Sequence, residues 1–182
     1  MITTSRLSLR LGIEPDIGGI IEFYRKNQGR IQPHAPTFTT EFFTAEYWTK
    51  RLVSDQRDFE AGTSARFFLF LKTGRELMGT AALTTITRGA LSACYLAYNI
   101  DGRYEGRGLM KEALEEGVIP YVFEGLKLHR IMANAQPFNE RSLKLLERLG
   151  FSREGVARDY LFLDGKWRDH VLTSKINSHW KI

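Results

Sequence analysis

Cys94-Tyr95-Leu96-Ala97-Tyr98-Asn99-Ile100-Asp101-Gly102-Arg103-Tyr104-Glu105-Gly106-Arg107-Gly108-Leu109-Met110 is the stretch on which the fold turns. Its first half alternates large and small side chains, with no Pro and no Gly before Gly102, and reads as a strand. Its second half is a loop carrying Gly102, Gly106 and Gly108. The next residues, K-E-A-L-E-E-G-V from Lys111 to Val118, read as a helix. Glycines let backbone N–H groups point inward without a Cβ in the way. A helix N-terminus adds free donors and partial positive charge. Strand, glycine turn and helix start together make a place to hold an anion. By its glycines alone, a turn without a ligand is the stronger reading. The dinucleotide fingerprint fails, because its third glycine would fall at Lys111, and G-x-x-x-x-G-K-[ST] is absent.

Upstream of this stretch, two strands precede it through short turns. Ala65 to Lys72 reads as a buried strand, Thr73-Gly74-Arg75 as its turn, and Glu76 to Arg88 as a long second strand. Gly79 within it marks a close approach or a bulge. With Ser92 to Ile100 these strands form an antiparallel meander. Further upstream, Arg6 to Leu11 alternates as a half-buried strand. Pro15 and Asp16 open a helix bearing Ile17, Ile20, Ile21 and Tyr24 that runs to about Asn27. Residues 30 to 43, with Pro33, His34 and Pro36, read as a loop of the kind that shapes specificity. Thr44 is the expected N-cap of a helix with Tyr47, Trp48 and Leu52 inward.

Downstream, the helix after Gly108 runs to about Phe123, with an end or kink predicted near Ile119 because of Pro120. Leu128 to Ala135 is a strand. Asn139 caps a helix that Gly150 stops. Phe151 to Leu163 and Trp167 to Lys175 close as a hairpin on Asp164-Gly165. The order is α+β on a mostly antiparallel sheet.

The chain has 182 residues, enough for one domain with a sizeable core. No apolar run approaches the roughly 20 residues that span a bilayer, so no membrane partner is expected. The N-terminal segment lacks the apolar core of a signal peptide and reads as a mature start. A single cysteine, Cys94, allows no internal disulfide, which suits a reducing, cytoplasmic setting; within a strand it reads as core. A net charge of +5 is either a solvated basic surface or attraction to an anionic partner, such as a phosphorylated cofactor or ribosomal RNA. His34, His129, His170 and His179 have no ligand spacing, so no metal is expected. Asp169-His170 resembles a hydrolase triad only by composition, since G-x-S-x-G is absent.

Arg103-x-x-Gly106-x-Gly108 after a strand is similar to the acetyl-CoA pyrophosphate loop of the GCN5-related N-acetyltransferase (GNAT) superfamily. Cys94-Tyr95-Leu96-Ala97-Tyr98, His129-Arg130-Ile131-Met132-Ala133-Asn134, Leu149-Gly150-Phe151 and Trp167-Arg168-Asp169-His170 resemble the RimJ type, the ribosomal-protein-alanine N-acetyltransferases. The resemblance covers essentially the whole chain as one domain. It implies the GNAT fold: a mixed, mostly antiparallel sheet of six to seven strands, helices on both faces and central strands splayed apart. It implies acetyl-CoA as cosubstrate and a ribosomal-protein N-terminus, alanine by preference, as acceptor, with ribosome or ribosomal RNA association. By the same resemblance, Asn99 and Ile100 hold the thioester. Arg103, Tyr104, Glu105, Gly106, Arg107, Gly108, Leu109 and Met110 bind the pyrophosphate, chiefly through backbone N–H groups. Asn139 meets the pantetheine arm, a role compatible with its cap. Ser142 protonates the departing thiolate, or is simply a helix serine. Arg107, Lys111, Arg141 and Lys144 are candidates for the 3′-phosphate, with a solvated basic helix surface the default reading. Tyr98, Trp48 and His34 are candidates for the peptide slot, with core packing the default for Tyr98 and Trp48.

The sequence departs from related enzymes at the proton-transfer positions. Where some carry a catalytic glutamate, Asn134 stands here; where they carry an acidic tyrosine, Leu146 stands; a hairpin glutamate of another branch is matched by Leu161. No residue is singled out as the base. An α-amine with a pKa of about 7.7–8.0 is on the order of a tenth neutral at pH 7, whereas a lysine amine near 10.4 is under about one part in a thousand. An N-terminal substrate therefore needs only a weak acceptor or a water chain. Two other readings stand beside this one: a GNAT enzyme for a small-molecule amine or another protein N-terminus, and a basic ribosome-assembly binding module.

Overall fold

The computed structural model describes residues 1–74 and 76–181. Arg75 of the expected 73–75 turn lies outside the described residues, as does Ile182. One sheet of eight strands runs in the order β1-β2-β3-β4-β5-β6-β8-β7. In chain order the elements are β1 (Ile2–Thr3), β2 (Leu7–Arg10), α1 (Ile17–Lys26), α2 (Gln28–Ile31), α3 (Ala45–Glu60), β3 (Ala65–Leu71), β4 (Leu77–Thr87), β5 (Ala93–Ile100), α4 (Leu109–Glu112), β6 (Arg130–Met132), α5 (Glu140–Arg148), β7 (Ser152–Leu163) and β8 (Lys166–Ile176). The strand beyond the expected six or seven is β1, two residues that pair with Ser8 and Leu9.

Side-chain alternation along β3 assigns the helices to faces. Phe67 and Leu69 pack with Leu109, Leu114 and Val118 of the helix that follows the glycine loop. Phe68 and Phe70 turn the other way, onto Ile20 and Tyr24 of α1 and Trp48 and Leu52 of α3. Helices therefore cover both faces. Thr44 caps α3 as expected, accepting the Tyr47 N–H at 3.3 Å. Asp164 and Gly165 both take positive φ, +47° and +71°, the geometry a two-residue hairpin turn needs.

Two longer elements also differ in detail from the sequence reading. The helix after Gly108 reaches Gly125, close to the expected Phe123, and is irregular about Pro120 instead of ending at Ile119. It continues through Pro120, whose φ and ψ are −59° and −41°, as wide turns over Ala113–Val118 and Tyr121–Gly125. Proline removes one N–H and crowds the carbonyl four residues back; turns of i→i+5 type on both sides relieve both problems. The strand expected over 128–135 shrinks to Arg130–Met132. Only these three residues pair with β5, in parallel, opposite Ala93 to Tyr95. Beyond Met132 the chain leaves β5 and its backbone bonds to β8: Ala133 N–H donates to Thr173 O at 3.0 Å, and Ala135 exchanges bonds with Val171. The two central strands splay at this point, and the sheet gains a wedge-shaped opening.

Gly79 serves both of its expected purposes. β3 and β4 slip register beside it, with Leu69 opposite Gly79 and Phe70 opposite Leu77. A Cβ at Gly79 would stand 2.6 Å from the Asn99 carbonyl oxygen, a backbone atom that cannot swing away. Gly79→Ala is expected to cost about 1–3 kcal/mol of stability, the range for overpacking a tight core. Thermal melting checks it: an unshifted midpoint contradicts the close approach.

Candidate active site

The wedge is the starting point. Asp101 donates its N–H to Met78 O at 2.8 Å, so by strand alternation Asn99 also faces β4 while Tyr98 and Ile100 face the open edge. Between this edge and residues 133–136 lies a cavity of about 130 Å³. Asn99, Asn139 and Ser142 line it, with Tyr98, His34 and His170. No lining residue carries a carboxylate.

At the floor, Tyr98 Oη and Ser142 Oγ stand 2.8 Å apart. Burial pushes the Tyr98 hydroxyl up to about 12, more than its hydrogen bond to Ser142 brings it down. Tyr98 keeps its proton at neutral pH, so it can donate to Ser142 Oγ and leave the serine hydrogen free. Ser142 is held from behind as well: Asn139 Oδ1 accepts its N–H at 3.2 Å. Asn139 is thus the N-cap of α5, and its side-chain NH₂ remains for a ligand.

The glycine loop leads out of the same edge. Its first half is a strut. Gly102 N–H donates to Asn27 Oδ1 at 3.1 Å, Arg103 N–H to Asp101 Oδ1 at 2.9 Å, Tyr104 N–H to Asp101 O at 2.9 Å and Glu105 N–H to Gly102 O at 3.4 Å. The Arg103 guanidinium is clasped by Asp101 and Glu76, each at 2.6 Å. Arg103, Tyr104 and Glu105 therefore use their donors inside the loop. From Gly106 to Lys111 no N–H meets a protein acceptor among the described residues; the next, Glu112, bonds to Gly108 O at 3.0 Å. Gly106 and Gly108 both take left-handed φ, +72° and +73°, which turns successive amides to one side. A Cβ on Gly106 would meet nothing within 4 Å, so the space before it is open. The free donors are Gly106, Arg107, Gly108, Leu109 and Met110 of the expected set, plus the amide of Lys111.

The charged candidates separate in the same way. Arg141 pairs with Glu105, which also pairs with Arg30, and this carboxylate ties the loop to the start of α5. Lys144 pairs with Glu140 at 3.0 Å, and Lys111 pairs with Glu115. The Arg107 guanidinium lies 5.6 Å from the Tyr104 ring centroid. Trp48 is core, with Nε1 donating to Phe42 O at 2.8 Å. Asn134 is a brace: it accepts the Thr173 N–H at 3.2 Å and donates to Tyr160 Oη at 3.4 Å. Leu146 is buried in the core and Leu161 is exposed. Cys94 is fully buried and its thiol is pushed up to about 12 by that burial, which suits a core residue. The described residues include no group of three or more His, Cys, Asp or Glu that could hold a metal, and no helix long and apolar enough to cross a membrane.

Asp101 anchors this loop while nearly wholly buried. Hydrogen bonds from Arg103, outweighing the effect of burial, hold its carboxyl down to about 2. A depressed carboxylate stabilises the fold above its unfolded value near 4, and that contribution is lost as pH falls towards 2. Asp101→Asn is therefore expected to melt below the parent protein at neutral pH, with the gap narrowing below about pH 4. A gap independent of pH would contradict the ionic anchor.

Comparison with known proteins accords with this geometry. The family model described as an acetyltransferase (GNAT) domain matches residues 6–152. The [ribosomal protein uS5]-alanine N-acetyltransferase of Escherichia coli (strain K12) is 39% identical over 179 residues, covering 98% of this chain and 92% of that protein. The ribosomal-protein-S5-alanine acetyltransferase of Vibrio fischeri superposes with a TM-score of 0.93 at 34% identity over the full length of both chains. Mycobacterium smegmatis RimJ, in complex with CoA-disulfide, gives 0.90 at 25% identity over all of this chain and 89% of that one. With that family match over most of its length, and the splayed sheet that goes with it, this chain belongs to the GNAT acetyltransferases, on their RimJ-type branch.

Proposed function

We propose that this enzyme transfers the acetyl group of acetyl-CoA to the N-terminal α-amine of a ribosomal protein, one exposing alanine, by direct attack in a ternary complex. One observation carries the reading: the run of free N–H groups from Gly106 to Lys111 follows the strand whose end lines a cavity that holds Ser142 and contains no carboxylate. The amides suit a pyrophosphate. A cavity without a carboxylate suits an amine that is already partly neutral near pH 7, as an α-amine is and a polyamine or lysine amine is not. The E. coli and V. fischeri relatives, whose names specify alanine and a ribosomal protein, support the acceptor.

The residues divide the work as follows. Gly106, Arg107, Gly108, Leu109 and Met110 hold the pyrophosphate through their N–H groups. Asn139 meets the pantetheine arm through its NH₂, while the open edge of β5 at Tyr98 and Ile100 lies along the thioester, with Asn99 in the wall. An N–H on that edge stabilises the oxyanion that forms when the amine attacks. Ser142, with Tyr98 behind it, protonates the sulfur as it leaves. Fixing both reactants in one wedge supplies much of the acceleration. The loop from residue 32 to 38 covers the acceptor side: Ala35 O accepts the Asp164 N–H at 3.0 Å, and His34 meets Gln136. A cytoplasmic setting and ribosome docking assisted by the +5 charge go with this acceptor. Comparative mass spectrometry of ribosomal proteins from the source organism, with and without the gene, checks the assignment. One N-terminal acetyl group missing from an alanine-initiated protein is expected; an unchanged set contradicts it.

A further inference from the structure

The cavity needs a group to take the proton that the attacking amine must lose. Asn134, Leu146 and Leu161 cannot provide one. Among the lining residues the amides Asn99, Asn134, Gln136 and Asn139 are not bases, and Tyr98 keeps its proton because burial raises it. Two imidazoles remain, and the structure fixes the tautomer of each. His170 Nδ1 stands 3.0 Å from the Arg168 carbonyl oxygen, which can only accept, so Nδ1 carries a proton and Nε2 is the accepting nitrogen of the neutral ring. His34 Nδ1 meets Gln136 Oε1, whose own NH₂ donates to Pro33 O at 3.1 Å, so that ring also carries its proton on Nδ1.

Position distinguishes them. His34 is exposed on the covering loop, 5.7 Å from the ring of the exposed Phe138, at the mouth. His170 is 3% exposed and rigidly placed on β8, one residue from the Ala135–Val171 bridge where the wedge opens. Among the described residues its Nε2 meets no hydrogen-bond partner. Tyr160 of β7 lies 5.7 Å away, ring to ring, with its hydroxyl shared with Tyr95; the carboxylate of Asp169 turns to the Asp159 N–H at 2.9 Å. Tyr98 and Ser142 face the same cavity from β5 and α5, and the Arg168 side chain, two residues back on β8, is partly buried.

We propose that His170 is the base of the reaction, with Nε2 aimed into the wedge and the Arg168 carbonyl holding the ring in the accepting tautomer. This rests on the acetyl-transfer reading above. The amine nitrogen forms the C–N bond with its lone pair and the C–S bond breaks. The excess N–H proton passes to His170 Nε2, directly or through one water. The thiolate takes the Ser142 hydroxyl proton. Solvent then discharges the imidazolium and restores Ser142, so neither residue is consumed.

The test uses the full chain, acetyl-CoA and a short alanine-terminated peptide. His170→Gln keeps a polar side chain that cannot take a proton; kcat is expected to fall about 100-fold or more with calorimetric acetyl-CoA affinity unchanged. In His170→Ala, added imidazole is expected to restore rate, which a packing role would not allow. A His170→Gln enzyme as fast as the parent, or a His170→Ala enzyme that binds acetyl-CoA and gains nothing from imidazole, overturns the proposal. Should both variants lose the fold, 15N NMR of the parent protein decides: a proton on Nδ1 and none on Nε2 supports it, and the reverse tautomer overturns it. Failure of the parent itself to bind acetyl-CoA would instead reject the underlying reading.

Discussion

Gly106→Val is expected to abolish acetyl-CoA binding, with a loss of about 100-fold or more in affinity. The free amides from Gly106 to Lys111 can serve a pyrophosphate only if it reaches them, and the space in front of Gly106 is open. A valine places two methyl groups there and also forces a β-branched residue to φ near +72°, which L side chains avoid. Losing even one or two hydrogen bonds to a charged group, at about 1.5–3 kcal/mol each, gives a loss of this size. Backbone strain alone is controlled by Gly62→Val. Gly62 has nearly the same φ, +68°, and nothing within 4 Å of a Cβ, but lies in the turn after α3, away from the glycine loop. Titration calorimetry on both folded variants should show binding lost in the first and kept in the second. Equal affinity in a folded Gly106→Val protein would reject the loop as the pyrophosphate site.

Ser142→Ala is expected to lower kcat by about 100-fold, within the usual range for a lost general acid, while acetyl-CoA affinity stays near the parent value. The split between kcat and affinity distinguishes a role in proton transfer from one in binding. The cap that anchors α5 is the Asn139 side chain to the Ser142 N–H, which alanine keeps, so the helix start should survive. Tyr98→Phe removes the phenol 2.8 Å behind the serine and should give a smaller fall in kcat with the same affinity. Rapid-quench acetylation measures the chemical step. An unaltered rate in Ser142→Ala removes the serine from the mechanism.

Local grammar made much of this fold legible. Thr44 before an amphipathic run, Asn139 three residues ahead of Ser142, and Asp164-Gly165 between two strands each act within a few residues, and each forms the cap or turn expected. The meander of β3, β4 and β5 was equally readable from alternation and short turns. Non-local geometry was not. The shortening of the 128–135 strand depends on β5 diverging after Tyr95, an event set by the other strand. Passage of the helix through Pro120 depends on wide turns that leave no mark on the apolar pattern.

The site shows the same division. Gly106 and Gly108 marked a turn by residue type, with a ligand-free turn the stronger reading from the glycines alone, whereas the side-chain role of Arg103 depended on Glu76, 27 residues earlier. The Tyr98–Ser142 pair spans 44 positions, and aromatic packing was the default reading for Tyr98. His170 was overlooked because its spacing fits no metal or triad; only the cavity and the Arg168 carbonyl give its ring a direction.

The proposed reaction is acetyl transfer from acetyl-CoA to an α-amine. Its most direct test is a peptide that begins with a free alanine and carries an internal lysine, incubated with the enzyme and acetyl-CoA and sequenced by tandem mass spectrometry. One acetyl group on the alanine nitrogen, with the lysine unmodified, is the predicted result. Acetylation of the lysine in preference to the alanine, or of neither amine while acetyl-CoA binds, would contradict it.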